Sequence, residues 1–599
     1  MKMKVSDFIA QEIADYGITD VFTVVGGGAM HLNDSLGHYP RLKCWYNHHE
    51  QACAMAAEGY ARVNNKMALV CVTTGPGGIN ALNGVAGGWL DSIPMIVISG
   101  QVRYDTTARS TGLPLRSMGD QEFDITKAVA SMTKYCEMII DPKKIKYCLK
   151  KALTIASHGR PGPCWLDVPL NVQGSYIETD DLEDYNPEEY LKTLPIEIDD
   201  TVVKSILDKI SKSKRPVFYA GNGIRLSNSY DLFIELVSKL NMPVVTNWDS
   251  VDLIPDDHPL YAGRGGSLGT RSGNFAVQNS DLILSIGSRL SLRQTGFNWT
   301  QWAPEAFVIM EDIDVAELKK PTLHIDMPLN VDAKVLLTKL NAFADKPVFK
   351  NQEWINQCCE WNERYPVVQK KHYDDCNLSN PYCFMKELST RLPEGAITVV
   401  SNGTACAVGS HAYVFKKNQR FIVNSAIASM GYGLPAAIGV CIANKCNDIV
   451  CIEGDGSLMM NLQELQTVIT NKLSIKLFVI NNSGYHSIRL TQTNLFNKNF
   501  CGIGEQSHDL SFPSFEKLAN AFGYPYFKIK SNDEMGIIDD VLSAKGPVLC
   551  EVFVNTEQAF EPKSATKKLP DGSLYSPPLS DMAPFLDRDE FEKNMHVCR

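Results

Sequence analysis

Short, largely apolar runs recur along the chain, and most end in a turn marked by glycine or asparagine. MALVCVTTG (67–75), PMIVISG (94–100), RPVFYAGNG (215–223), DLILSIGSRL (281–290), DIVCIEGDGS (448–457) and SIKLFVINN (474–482) are the clearest. Stretches with apolar residues spaced three and four apart lie between them, the mark of amphipathic helices. Buried strands alternating with helices predict parallel sheets, because a parallel strand pair needs a crossover long enough to hold a helix.

The chain has 599 residues, too many for one ordinary domain of about 100–200 residues. The runs divide it into three α/β segments, at 1–180, 195–344 and 381–555. We expect each to be a doubly wound parallel-sheet domain. An acidic, proline-containing stretch at 176–198 reads as a linker. Residues 345–380 read as a connector with helical pieces, WINQCCEWNERY among them. The last stretch, 556–599, is rich in Pro, Asp and Lys and reads as an extended tail that wraps the rest.

The formal net charge of −10 argues against nucleic acid as a partner, since phosphate binding needs a basic footprint. No apolar stretch reaches the roughly 20 residues of a membrane span. The N-terminus has charges where an export signal needs an apolar core. Seventeen cysteines are scattered without a C-x-x-C pair, so free thiols and a reducing, cytoplasmic setting are expected, and the adjacent Cys358 and Cys359 are read the same way.

The third segment carries the sharpest chemistry. One strand ends in Gly454-Asp455-Gly456-Ser457, a helix follows, and the next strand ends in Asn481-Asn482. The right-handed crossover puts both strand ends on one sheet edge. Asp455 and Asn482 are thereby neighbours, and two hard oxygen ligands beside a glycine turn suit Mg²⁺ bridged to a diphosphate. Asp455 alone could merely cap the helix; Asn482 at the next strand end favours the metal.

This GDG…NN pattern resembles the thiamine-diphosphate enzymes, and the likeness runs along nearly the whole chain. It is nearest to acetolactate (acetohydroxyacid) synthase large subunits. The resemblance implies that 1–180 binds the cofactor's pyrimidine end and that 381–555 binds its diphosphate, with Asp455, Asn482 and the Gly484 carbonyl on Mg²⁺. Gly454, Gly456, Ser457, Tyr485, Gly403 and Thr404 would border the cofactor, and Met430, in SAIASMGYGLPAAIG (425–439), would hold it bent. HEQACAMAAEGYAR (49–62) resembles the segment with the activating glutamate, here Glu50, whose carboxyl meets a pyrimidine nitrogen. Glu58 in that helix reads as structural, and His48 and His49 as shaping the site. TTGPGGIN (73–80) places Asn80 at the cofactor. It is not the G-x-G-x-x-G fingerprint of NAD sites. VVGGGAM (24–30) places Gly27 near the reacting centre.

MGDQEFDI (118–125) places Gln121 near the substrate, with Asp120 where the family has Phe, after an insert at 103–117. In the central segment, Gly221, Gly223, Arg289, Arg293, Asp312 and the GRGGSLGTR loop (263–271) resemble FAD-binding parts, with Ser291 where the family has Asp. Bound FAD and a flavin-free spacer domain both stay open. The implied reaction is a Mg²⁺-dependent decarboxylating carboligation of pyruvate or a related 2-keto acid, giving 2-acetolactate. Transfer of the two-carbon unit to another carbonyl acceptor, such as a keto-sugar nucleotide, and simple decarboxylation also stay open. Glu50, Asp455 and Asn482 are all present, which argues against a catalytically silent relative. Since the two halves of the family's site come from different chains, the resemblance implies a homodimer or homotetramer.

Overall fold

The computed structural model describes residues 1–345, 347–374, 378–568 and 571–595. Its architecture is three six-stranded, all-parallel sheets, each covered by helices. In the first, the strands run in the order Lys43–Tyr46, Asp20–Thr23, Leu69–Val72, Met95–Gln101, Pro163–Pro169, Tyr135–Met138. The central sheet is built on Pro216–Ala220, which pairs with both Val244–Thr246 and Leu282–Ile286. In the third, Ile449–Gly454 lies beside Ile475–Asn481, with Gly454 opposite Ile480. The expected α/β fold is therefore what the chain adopts. The strand residues of Met95–Gln101 and Pro163–Pro169 are all buried, as sheets covered on both faces require.

Two segments differ from the sequence expectation. The supposed linker begins with a strand, Tyr176–Glu178, which pairs antiparallel with Lys2–Lys4 and ties the N-terminus to the end of the first domain. The connector contains the helix Gln352–Arg364, whose Trp354, Cys358 and Trp361 lie on one face and enter the central core. Trp354 Nε1 donates to the Pro216 carbonyl at 3.0 Å. The tail ends in a further helix, Arg588–Met595, which packs on the central core, where Asn594 accepts from Trp361 Nε1 at 2.8 Å. No disulfide joins the described cysteines.

The first and third domains meet through Glu50–Asn64 and Gly433–Ala443. The two helices are nearly in backbone contact. A Cβ on Gly439 would lie 1.8 Å from the Ala56 carbonyl oxygen, so only glycine fits there. A buried polar cluster pins the crossing: Glu58 accepts from Arg62 and, at 2.6 Å, from Tyr432 Oη, while Asp91 accepts from Arg62 and from the Ser425 backbone N–H. Glu58 thus has the structural role read from the sequence.

Candidate active site

Glu50 is the first residue of its helix, where the helix dipole favours a carboxylate. His49 caps that helix, accepting from the Gln51 N–H at 3.0 Å through Nδ1. Asn80 Nδ2 donates to Glu50 Oε2 at 3.0 Å. The turn carrying Asn80 is also held against the glycine turn before it, since Gly28 N–H donates to Thr73 Oγ1 at 3.1 Å. Gly75 has φ +58°, and a Cβ there would lie 2.2 Å from the Gln121 carbonyl. Glu50, Asn80, Gln121 and the 26–28 turn therefore share one edge of the first sheet. No atom outside its neighbours lies within 4 Å of the side-chain position at Gly27, which leaves open space beside it.

Glu122, unremarked in the sequence, organises the insert. Its Oε1 accepts from Ala108 N–H at 2.6 Å and its Oε2 from Met118 N–H at 2.7 Å and Gly119 N–H at 3.1 Å. A single carboxylate thus folds residues 108–119 over the Gln121 segment.

The second constellation sits on the carboxyl edge of the third sheet. Asp455 Oδ1 accepts from Gly456 N–H at 2.7 Å, and Oδ2 from Gly484 N–H at 2.8 Å. Burial pushes its carboxyl up to about 6. Asn482 Nδ2 donates to Thr404 Oγ1 at 3.1 Å, while its Oδ1 is buried with no hydrogen-bond partner. Gly484 has φ +122°, and a Cβ there would meet the Ile503 carbonyl at 1.8 Å, so glycine is required. Ser457 is already engaged: its hydroxyl pairs with Ser401 Oγ at 2.8 Å and accepts from Gly431 N–H at 2.7 Å, fixing the turn after the half-buried Met430. Gly403 caps the helix Thr404–Ala412, and Tyr485 packs against Gly456.

The cradle fits a hard cation with a diphosphate. A buried amide oxygen without a partner is costly unless something coordinates it. Each Asp455 oxygen keeps a second lone pair after its amide bond. Among the described residues no cluster of three or more His, Cys, Asp or Glu offers a metal site elsewhere. A sparse oxygen set is the pattern expected of Mg²⁺ completed by phosphates.

Within one chain the two constellations do not bond each other. Among the described residues, the hydrogen bonds crossing between the domains include Asn47 Nδ2 to Glu464 Oε2 at 2.9 Å and His48 N–H to Glu464 Oε1 at 3.0 Å. None joins Glu50, Asn80 or Gln121 to the 454–457 or 482–485 turns. Glu464 was not legible as a site residue. It is fully buried and clamps, from the third domain, the segment that leads into Glu50.

The central domain holds a cavity of about 420 Å³ against the first domain. Asn222, Gly223, Arg289 and Asp312 line it, and burial pushes the Asp312 carboxyl up to about 6. Gly221 sits behind the lining, with its Cα packed on Ser288. Arg293 lies elsewhere. It stacks on Trp248 at 4.6 Å, beside a separate space of about 10 Å³. The sequence reading grouped these residues in one site, and the structure divides them.

Family models for the thiamine pyrophosphate enzymes match all three domains: the N-terminal TPP binding domain over 3–128, the central domain over 203–340 and the C-terminal TPP binding domain over 401–552. The chain is 32% identical over 574 residues to an acetolactate synthase large subunit of Cyanidium caldarium, covering 93% of this chain and 94% of that protein. It is 30% identical to the acetolactate synthase isozyme 2 large subunit of Escherichia coli K12, over 92% of this chain and 96% of the relative. A chloroplastic acetolactate synthase 1 of Oryza sativa is 28% identical over 96% of this chain and 88% of its own length.

Proposed function

The chain belongs to the thiamine pyrophosphate enzymes and is an acetolactate synthase-like member of them; from that premise we propose that it is a Mg²⁺-dependent carboligase that decarboxylates pyruvate and forms 2-acetolactate. The observation that carries this reading is the pairing of an open Glu50–Asn80 edge with a cradle whose Asn482 Oδ1 lacks a partner. Thiamine diphosphate, when bound, supplies the centre that stabilises the carbanion left by a departing carbon dioxide. The rest of the work belongs to the protein.

Asp455, Asn482 Oδ1 and the Gly484 carbonyl would hold a Mg²⁺ ion, which would supply charge for the diphosphate. The Gly403 and Gly456 turns, with Gly454, Thr404, Ser457 and Tyr485, would line the diphosphate, and Met430 would pack under the cofactor. Glu50, with its carboxylate fixed by Asn80, would hold a proton at the pyrimidine end. Gln121 and the Gly27 turn would border the 2-keto acid.

Two halves that do not meet within one chain are completed by a second copy. Val25, Met30, Ile79 and Leu113 are exposed around the Glu50 edge, and Ile488, Leu495 and Phe496 around the Asp455 cradle. Apolar patches of this kind mark association surfaces. We therefore read the working unit as a homodimer or a homotetramer. Described cysteines that no disulfide joins support a cytoplasmic setting; no helix among the described residues is long and apolar enough to cross a membrane. No step of this reading runs through a flavin.

The insert pinned by Glu122 favours keeping a second acceptor in view, because it reshapes the pocket mouth beside Gln121. Incubating pure protein with the cofactor, Mg²⁺ and pyruvate decides the matter. Carbon dioxide together with 2-acetolactate supports the reading. Carbon dioxide without acetolactate refutes it in favour of another acceptor or of plain decarboxylation.

A further inference from the structure

A dinucleotide needs two connected half-sites, one for each nucleotide. The central domain offers one. Asn222, Gly223, Gly287, Arg289 and Asp312 surround open space of about 420 Å³, enough for a single nucleotide-sized ligand among pockets that run from about 300 to 1,000 Å³. The other half is filled by the protein itself.

Three features close it. First, Trp248 and Arg293 stack face to cation at 4.6 Å and leave only about 10 Å³ between them and Arg264, Leu268 and Ser410. Second, the 263–271 glycine loop has turned its donors inward. Gly265 N–H donates to Thr246 O, Gly266 N–H to Asn274 Oδ1, Ser267 N–H to Arg293 O, Gly269 N–H to Gly266 O and Thr270 N–H to Arg264 O. An amide spent in this way cannot hold a phosphate. The neighbouring 291–295 segment is likewise self-contained, since Ser291 and Gln294 cap their own helical turn.

Third, the tail lies over the loop. Ser564 N–H donates to Ser267 O at 2.8 Å, Arg271 Nη1 donates to Met582 O at 3.2 Å, Asn274 Nδ2 contacts Met582 Sδ, and Leu579 packs on Gly296. Met582 is fully buried by this arrangement. Opening the second half-site would therefore require the tail, the loop and the Trp248–Arg293 stack to move together.

We propose that this chain is a flavin-free thiamine pyrophosphate enzyme, in which Trp248, Arg293 and the chain's own tail occupy the flavin half of the central site and leave open only the cavity beside Arg289 and Asp312. The proposal rests on the family reading of the central domain but not on the nature of the acceptor substrate.

The test uses the full-length protein, purified without added flavin. Its absorbance between 350 and 500 nm is recorded, the supernatant after acid denaturation is assayed for flavin fluorescence, and the folded protein is titrated with FAD by calorimetry. A parallel titration with thiamine diphosphate and Mg²⁺ shows whether the catalytic domains are intact, so that failure of the cofactor reading is distinguished from failure of this one. The expected result is cofactor binding with no flavin band, no released flavin and no heat from FAD at 100-fold excess over protein. Flavin at a stoichiometry near one per chain, or saturable FAD binding, would overturn the proposal. A Trp248→Ala variant gives a second arm: with the tail and loop still in place it should also take up no FAD, and stoichiometric FAD uptake by it would contradict the role given to them.

Discussion

Asn80 Nδ2 lies 3.0 Å from Glu50 Oε2, a bond that ties the helix Pro76–Leu90, near its start, to the first residue of the helix Glu50–Asn64. It fixes the carboxylate at the sheet edge and leaves its other oxygen for a ligand. General acid–base groups of this kind contribute about 10²–10⁴ in rate.

Glu50→Gln keeps the size and the hydrogen bond of the side chain and removes the exchangeable proton. We expect turnover to fall by about 10²–10⁴, with thiamine diphosphate affinity changed only a few-fold and the melting temperature unchanged. Steady-state kinetics beside calorimetry checks this; full activity would sink the assignment.

The Asp455 carboxyl is pushed up to about 6 by burial, and a metal needs it ionised. Cofactor binding in Mg²⁺ should therefore weaken as pH falls through about 6. Asp455→Ala should abolish binding, and Asn482→Ala should weaken it by an order of magnitude or more. Calorimetric titrations from pH 5 to 8 read this directly, and affinity that is flat over that range contradicts the cradle.

Glu464 accepts from Asn47 Nδ2, from the His48 N–H and from Thr467 Oγ1. Glu464→Ala leaves two buried donors, Asn47 Nδ2 and Thr467 Oγ1, and the part-buried His48 N–H unmet, at about 1–3 kcal/mol for each buried one. We expect a lower melting temperature and a larger loss in kcat than in cofactor affinity, because the clamp acts on the Glu50 side. Equal losses in both would make its role general rather than local.

Asp167 is fully buried and accepts from Ser99 Oγ at 2.6 Å and Gln101 Nε2 at 3.0 Å. Gln101 also donates to Phe123 O and accepts from Thr74 Oγ1, so the network reaches both catalytic turns. Burial pushes the Asp167 carboxyl up to about 7, against about 3.9 in an unfolded chain. Between those values the folded state binds more protons, so this group's contribution to stability is lost as pH rises through the window. Asp167→Asn, whose one carbonyl oxygen can still accept from Gln101 Nε2 while its amide donates to Ser99 Oγ, a reversal of that bond, should gain thermal stability relative to wild type at pH 8 compared with pH 5. A pH-independent difference in melting temperature would show that the group does not titrate there.

The α/β architecture was legible because strand runs and helix spacing are local signals. Asp455 and Asn482 were legible for the same reason: each closes a strand, and parallel crossovers put strand ends together. Glu464 and Glu122 were not, since each acts on backbone amides, and a carboxylate's partners are invisible until the fold is known. The helix Gln352–Arg364 was seen as helical but placed in a connector, because the spacing of Trp354, Cys358 and Trp361 shows an apolar face without showing which core it enters. Arg289 and Arg293 share a site by resemblance alone, since both keep cationic positions of the family's flavin-binding segment. The helical turn Leu292–Thr295 carries Arg293 to a different space from Arg289.

In the homodimer proposed above, Glu50 of one chain works on the Asp455 cradle of the other. Co-expressing differently tagged Glu50→Gln and Asp455→Ala chains and isolating the mixed dimer tests it, since each variant alone should be inactive. One of the mixed dimer's two sites would then pair an intact Glu50 with an intact cradle, and activity should return to about half of wild type for a two-fold symmetric dimer. A mixed dimer as inactive as its parents would place both groups in a site within one chain and contradict the account.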